Sequence, residues 1–148
     1  LKIRSFLGFL PMTAGIASEE RAAVMVERHF CDERMVAKYG VRTLASDERM
    51  YSLEKSNNPS NWLGPVWGIS NYLVFEGLRR YGYMPEAEEL CEKTVALFAK
   101  DIREYGVLSE SYQPDTGEPM LYHGFLNWNV LVLDMVKKCR ANREEDQT

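Results

Sequence analysis

The chain has 148 residues, a length that suits one domain, and 45% apolar with 27% charged residues is the balance of an ordinary globular protein. A net charge of −4, with no basic run longer than two residues, argues against nucleic acid as a partner, because phosphate binding needs a concentrated Lys/Arg surface. No apolar stretch nears the ~20 residues that cross a bilayer, so no membrane partner is expected.

The opening Leu1–Leu10 carries Lys2 and Arg4 ahead of a short apolar patch. It has no small-residue cleavage site before Pro11 and is read as folded structure, apolar and uncapped like the middle of a longer protein. Ser18 is a candidate N-cap, followed by Glu19 and Glu20, whose charges suit the positive end of a helix; Ala22, Met25, Val26, His29 and Phe30 then recur at helical spacing. From Asp32 to Ser60 the periodicity is weak, which predicts a long connection with at most a short turn of helix. A second helix is predicted from Pro65 or Val66 to Tyr81, apolar nearly all round and therefore buried, with Gly82 as its stop. Pro85 with Glu86, Glu88 and Glu89 marks a third start, and Ala87, Leu90, Cys91, Thr94, Leu97, Phe98 and Ile102 form one stripe down to Gly106. A short strand is possible around Val107–Tyr112, before the turn signal Gln113-Pro114-Asp115-Thr116-Gly117. The last helix is predicted from Asn127 to Arg140, with Trp128, Leu131, Val132, Met135 and Cys139 inward. The body is expected over 1–140, with 141–148 as a fraying polar tail, and the fold class is all-α.

Cys31, Cys91 and Cys139 are an odd number without a CxxC motif, and only two histidines accompany them. Buried, reduced thiols are expected, which points to a reducing compartment such as the cytoplasm, with no metal and no cofactor.

Three stretches could carry chemistry. Trp62-Leu63-Gly64-Pro65-Val66-Trp67 sets two indoles about a stiff bend, and indole faces stack on the C–H face of a sugar. Asn71, one turn beyond Trp67, shares its helix face. Both Trp also read as core residues beside an apolar helix, and on composition that reading is the commoner one. In Ser109-Glu110-Ser111-Tyr112 a carboxylate precedes an aromatic and a rigid turn, although a lone loop Glu is more often a solvated charge. His123-Gly124-Phe125-Leu126-Asn127-Trp128 offers a further His and Trp, equally compatible with packing.

Taken in order, Trp62-Leu63-Gly64-Pro65-Val66-Trp67, Asn71-Tyr72, Glu110-Ser111-Tyr112-Gln113-Pro114-Asp115-Thr116-Gly117 and Phe125-Leu126-Asn127-Trp128 resemble blocks of glycoside hydrolase family 63. The relatives of that family include mannosylglycerate and glucosylglycerate hydrolases, mannosyl-oligosaccharide glucosidases and, more distantly, family 37 trehalases. Tyr39-Gly40-Val41-Arg42-Thr43-Leu44 is similar to the loop that precedes the Trp block. The resemblance implies an (α/α)6 barrel, of which about four helices here would be the C-terminal portion. It implies an inverting hydrolase of α-glycosidic bonds in a small glycoside or oligosaccharide, with Glu110 as general base. Trp62, Trp67, Asn71, Tyr112, His123 and Trp128 would bind the sugar. The paired general acid, an Asp on an earlier helix, belongs to a block outside these residues, so this stretch alone is expected to be inactive. Its expected partners are the carbohydrate and the missing N-terminal part of the barrel, or a second copy. Asn129 stands where the family often has Ser or Thr after the Trp. The alternative is a non-catalytic carbohydrate-binding or helical interaction module derived from that fold.

Overall fold

The computed structural model describes residues 2–54, 60–121 and 123–145. Most of the described residues are helical. A 3₁₀ turn, Phe6–Phe9, leads into α1, Leu10–Thr13. Phe6 and Phe9 are buried, so the opening residues belong to the fold. Helix α2, Glu19–Met25, starts as predicted, the Ser18 hydroxyl accepting the Arg21 N–H at 3.3 Å, and ends in a π-helical turn over Val26–Phe30.

Helix α3, Gly68–Arg80, touches α1, α4 and α5. It begins later than Pro65 or Val66 because Val66 is held extended: its N–H and C=O exchange hydrogen bonds with Tyr112, both at 2.9 Å. Trp67 is the extended N-cap, and the Ser70 hydroxyl closes the first turn by donating to the Trp67 carbonyl at 2.8 Å. Gly77 lets α1 approach, since a Cβ there would sit 3.0 Å from the Thr13 nitrogen, and the Thr13 hydroxyl donates to the Leu73 carbonyl.

Helix α4 runs Met84–Tyr105 and stops at Gly106, which takes φ +74°. Its stripe is buried from Ala87 to Phe98, but Ile102 is 52% exposed and Asp101 turns inward in its place. A 3₁₀ turn, Asn127–Val130, precedes α5, Leu131–Glu145. Helix α5 therefore extends past Arg140, and residues 146–148 of the expected tail lie outside the described residues. Met135 and Cys139 are buried, while Trp128, Leu131 and Val132 are half-buried and Asn129 is fully enclosed.

The stretch from Asp32 onward is more ordered than its weak periodicity suggests; residues 55–59 of it lie outside the described residues. A hairpin pairs β1, Val36–Ala37, with β2, Gly40–Val41, and Val41 to Ala45 is buried throughout. Single antiparallel bridges then link Ser5 with Leu44, Arg42 with Val66, Val66 with Tyr112 and Tyr112 with Pro119, with a further bridge from Ser109 to His123. Five extended segments thus lie side by side as an irregular ladder, and the predicted Val107–Tyr112 strand is one of its rungs. Tyr39, Val66, Leu97, Phe98, Leu108 and Tyr112 form a small core cluster, separate from the main one between the helices. Of the thiols, Cys91 and Cys139 are buried, whereas Cys31 is exposed, contrary to expectation.

Candidate active site

Glu110 lies on the ladder between two buried serines, Ser109 and Ser111. The peptide unit preceding it is held at both ends: the Ser109 carbonyl accepts the Asn129 side-chain amide at 2.8 Å, and the Glu110 N–H donates to the Leu121 carbonyl at 3.4 Å. The Ser111 carbonyl accepts the Met120 N–H at 2.9 Å. The half-buried Glu110 carboxylate makes no ion pair or hydrogen bond among the described residues, and burial raises its pKa above the ordinary carboxylate value. Water loss disfavours the charged form, so the group holds a proton more tightly than a solvated Glu.

Beside this segment the aromatic rings form a connected band. Phe6 stacks on Trp62 at 5.7 Å between centroids, Trp62 on Trp67 at 4.2 Å, and Trp67 meets Trp128 at 5.9 Å, which in turn meets Phe125 at 5.0 Å. Trp62 and Trp128 keep part of their surface exposed. The Trp128 indole N–H is buried without a partner among the described residues.

The remaining predicted residues divide by burial. Trp67, Asn71 and Tyr112 have 0% exposure, so in this structure none offers a surface to a ligand. The Trp67 indole donates to the Asn61 carbonyl at 3.0 Å. The Asn71 amide accepts the Val41 N–H at 2.8 Å and donates to the Tyr39 carbonyl and the Thr94 hydroxyl, tying α3 to the hairpin and to α4. The Tyr112 hydroxyl accepts the Ser109 N–H at 2.8 Å and donates to Asp101 at 2.9 Å. Burial, with Asp101 as acceptor, holds that phenol far above its ordinary pKa, so it remains a donor. His123 is exposed, stacked on Tyr105 at 5.4 Å, with its Nδ1 3.1 Å from the Ser109 hydroxyl.

Sequence reasoning missed Asp101 and Asn129 as supports of this segment. Asp101 continues the α4 stripe one turn beyond Leu97 and Phe98, and that register was its signal. Arg42 was also missed: it is 6% exposed and binds Asp115 at 2.7 Å and the Tyr51 hydroxyl at 3.0 Å, bracing the turn that follows Tyr112. Among the described residues, no group of three or more His, Cys, Asp or Glu side chains is placed to hold a metal ion. No described helix is long and apolar enough to cross a membrane.

Residues 1–129 match the model of the mannosylglycerate hydrolase MGH1-like glycoside hydrolase domain. Mannosylglycerate hydrolase MGH1 of Selaginella moellendorffii is 33% identical over 112 residues, which is 74% of this chain and 20% of that protein. The crystal structure of the GH63 mannosylglycerate hydrolase from Thermus thermophilus in complex with glucose superposes with a TM-score of 0.71 and 28% identity, over 92% of this chain and 31% of that one. Neutral trehalase Nth1 of Saccharomyces cerevisiae shares the fold, with a TM-score of 0.71 and 24% identity over 91% of this chain and 24% of that chain. The chain therefore spans between a fifth and a third of the length of these relatives.

Proposed function

Since the chain belongs to the MGH1-like family of glycoside hydrolases, we propose that it forms part of an inverting enzyme that cleaves an α-glycosidic bond in a small glycoside or oligosaccharide. In this reading its helices are the C-terminal portion of an (α/α)6 barrel, and Glu110 is the general base. The observation that carries the assignment is the state of that carboxylate: partly desolvated, unpaired among the described residues, and mounted on a peptide fixed at both ends.

An inverting glycosidase needs two carboxyl groups on opposite faces of the sugar, one to protonate the leaving oxygen and one to take a proton from the attacking water. Glu110 performs the second task. Its raised pKa suits it, because a general base is most effective when its pKa approaches the working pH. The acid is an Asp from an earlier helix of the barrel, supplied by the rest of the protein. The part-exposed rings of Trp62 and Trp128 form the sugar platform, with His123 at its rim. Trp67, packed between them, sets the tilt of the platform, and Asn71 and Tyr112 are buried behind it. Cys31, Cys91 and Cys139 are not joined in disulfides, which is consistent with a reducing compartment such as the cytoplasm.

In the complete enzyme, with mannosylglycerate as probe, Glu110→Gln should lower turnover by at least about 10²-fold, the usual scale for a general base. Substrate affinity and the melting temperature should change little, because the side chain is near-isosteric and the platform is untouched. The first sugar released should be the β-anomer, read by proton NMR before mutarotation. Near-normal turnover in the Gln variant would return Glu110 to the status of a loop carboxylate, and an α-anomeric first product would exclude inversion.

A further inference from the structure

The buried stripe of α4 ends in a carboxylate. Asp101 has 0% exposure; its Oδ2 accepts the Tyr112 hydroxyl at 2.9 Å, and its Oδ1 has no partner among the described residues. A buried carboxylate is normally met by a cation or by several donors, and this one has a single phenol. Leu at 101 and Phe at 112 would fill the same space and remove the buried carboxylate, but they would leave the Ser109 N–H without its acceptor. What the polar pair adds is direction. With its O–H pointed at Asp101, the Tyr112 oxygen turns a lone pair toward the Ser109 N–H, 2.8 Å away.

That contact closes a short loop around Glu110, from the residue before it to the second residue after it. The opposite side of Ser109 is held as well, since its carbonyl accepts the Asn129 amide, and Asn129 is wedged against Gly68, where a Cβ would lie 2.4 Å from Asn129 Oδ1. The Ser109 peptide groups are thus gripped from α4 by Asp101 through Tyr112 and from the 3₁₀ turn before α5 by Asn129. Side-chain aim depends on the backbone that carries it, and a displacement near 1 Å at a reacting group can cost about 10²-fold in rate.

We propose that Asp101 and Tyr112 are positioning residues for Glu110: Asp101 orients the Tyr112 hydroxyl, which clamps the Ser109 N–H and fixes the direction in which the Glu110 carboxylate points. This rests on the reading of Glu110 as the general base. The clamp acts on the base and leaves the sugar platform alone, so its loss falls on turnover rather than on substrate affinity.

The experiment compares Tyr112→Phe, Asp101→Leu and Asp101→Asn in the complete enzyme, each alone and together with Glu110→Gln. Two readouts are used: kinetics on mannosylglycerate, and the titration of the Glu110 carboxyl carbon in ¹³C-Glu-labelled protein, assigned by its absence in the Gln variant. Tyr112→Phe should lower kcat about 10-fold or more with KM within about twofold. It should also move the Glu110 titration down toward that of a solvated Glu, as the freed carboxylate reaches water. Asp101→Leu should copy both effects. Asp101→Asn keeps an acceptor for the phenol and should recover most of the loss. In the Glu110→Gln background Tyr112→Phe should cost nothing further.

If Asp101→Leu fails to fold, Tyr112→Phe and Asp101→Asn still decide the matter, because one removes only a hydroxyl and the other only a charge. A Tyr112→Phe enzyme with unchanged kcat and an unmoved Glu110 titration overturns the clamp while leaving the base assignment intact. So does a full multiplicative loss in the double variant, which would show that Tyr112 acts elsewhere. Normal turnover in Glu110→Gln alone removes the base assignment, and the clamp with it.

Discussion

At the residue scale, the interior is organised by a few side chains that satisfy several partners at once. Asn71 is the clearest. Its amide serves the Val41 N–H, the Tyr39 carbonyl and the Thr94 hydroxyl, all inside the protein. Asn71→Ala would strand a buried N–H and a carbonyl, each worth about 1–3 kcal/mol when left unpaired. The expected outcome is a loss of about 2–4 kcal/mol in urea-unfolding stability with the slope unchanged. Gly40 belongs to the same knot: it takes φ +126°, and a Cβ would fall 2.2 Å from the Asn71 amide nitrogen. Gly40→Ala should therefore destabilise by a similar amount through a clash with the same side chain, and the two changes together should cost less than their sum. The sequence made Asn71 stand out, but as a ligand contact. Its spacing from Trp67 was legible, whereas burial on the far side depended on a hairpin that periodicity did not reveal.

At the element scale, the four longer helices were legible because their caps and apolar spacing are local signals. Ser18, Pro85, Gly82 and Gly106 each mark a boundary within a residue or two of where it falls. What was illegible is the ladder. Its rungs are single bridges, most of them between distant segments, and Val66 stays extended because Arg42 and Tyr112 flank it, so no local pattern announces it. Ionic ties around the first rung were equally hidden. Asp32 binds Arg34 at 2.7 Å and Arg4 at 2.8 Å, while Asp47 reaches both arginines, fastening the opening segment to the hairpin. Hydrogen bonding to Arg34 first, then to Arg4, holds the Asp32 carboxyl well below the usual carboxylate range. A depressed folded-state pKa gives stability that is present above the unfolded value, about 3.9, and is lost as pH falls toward the folded one. Asp32→Asn should lower the melting temperature at pH 7, and the gap to the parent protein should close as the pH drops below about 4. A gap that stays constant between pH 7 and pH 3 would remove Asp32 from the list of stabilising ion pairs.

At the scale of the whole molecule, exposed large apolar side chains are scattered, Ile16 at 78% and Leu7 at 56% among them, but three line up beside the last helix. Leu126, Val130 and Leu133 are 63%, 49% and 71% exposed, at helical spacing over the start of the last helix. The apolar face of α3 is closed within the chain itself, with Val74, Phe75 and Leu78 all buried. The line of Leu126, Val130 and Leu133 is thus a contiguous apolar strip that nothing among the described residues covers. Expressed alone, these 148 residues should bind a hydrophobic dye and associate in light scattering. Leu126→Lys with Leu133→Lys should reduce both signals without unfolding the helices. A dye-negative monomer would mean that α5 needs no cover.

The ladder also sets an order of events during folding. Each helix can form from neighbours along the chain, but the rungs that run from Ser5 through Val66 to Tyr112 join segments far apart in sequence. Such closures are slow because the entropy of the intervening loop opposes them. On that ground the helices should form first and the extended segments join them later, which stopped-flow circular dichroism set against near-ultraviolet signals would check. Glu110, carried on an inner rung, takes its final orientation only when the chain on both sides has already arrived. A partly folded molecule can therefore hold nearly all of its helical signal while the Glu110 carboxylate still points nowhere in particular, so far-ultraviolet circular dichroism should reach its native value before the ladder is closed.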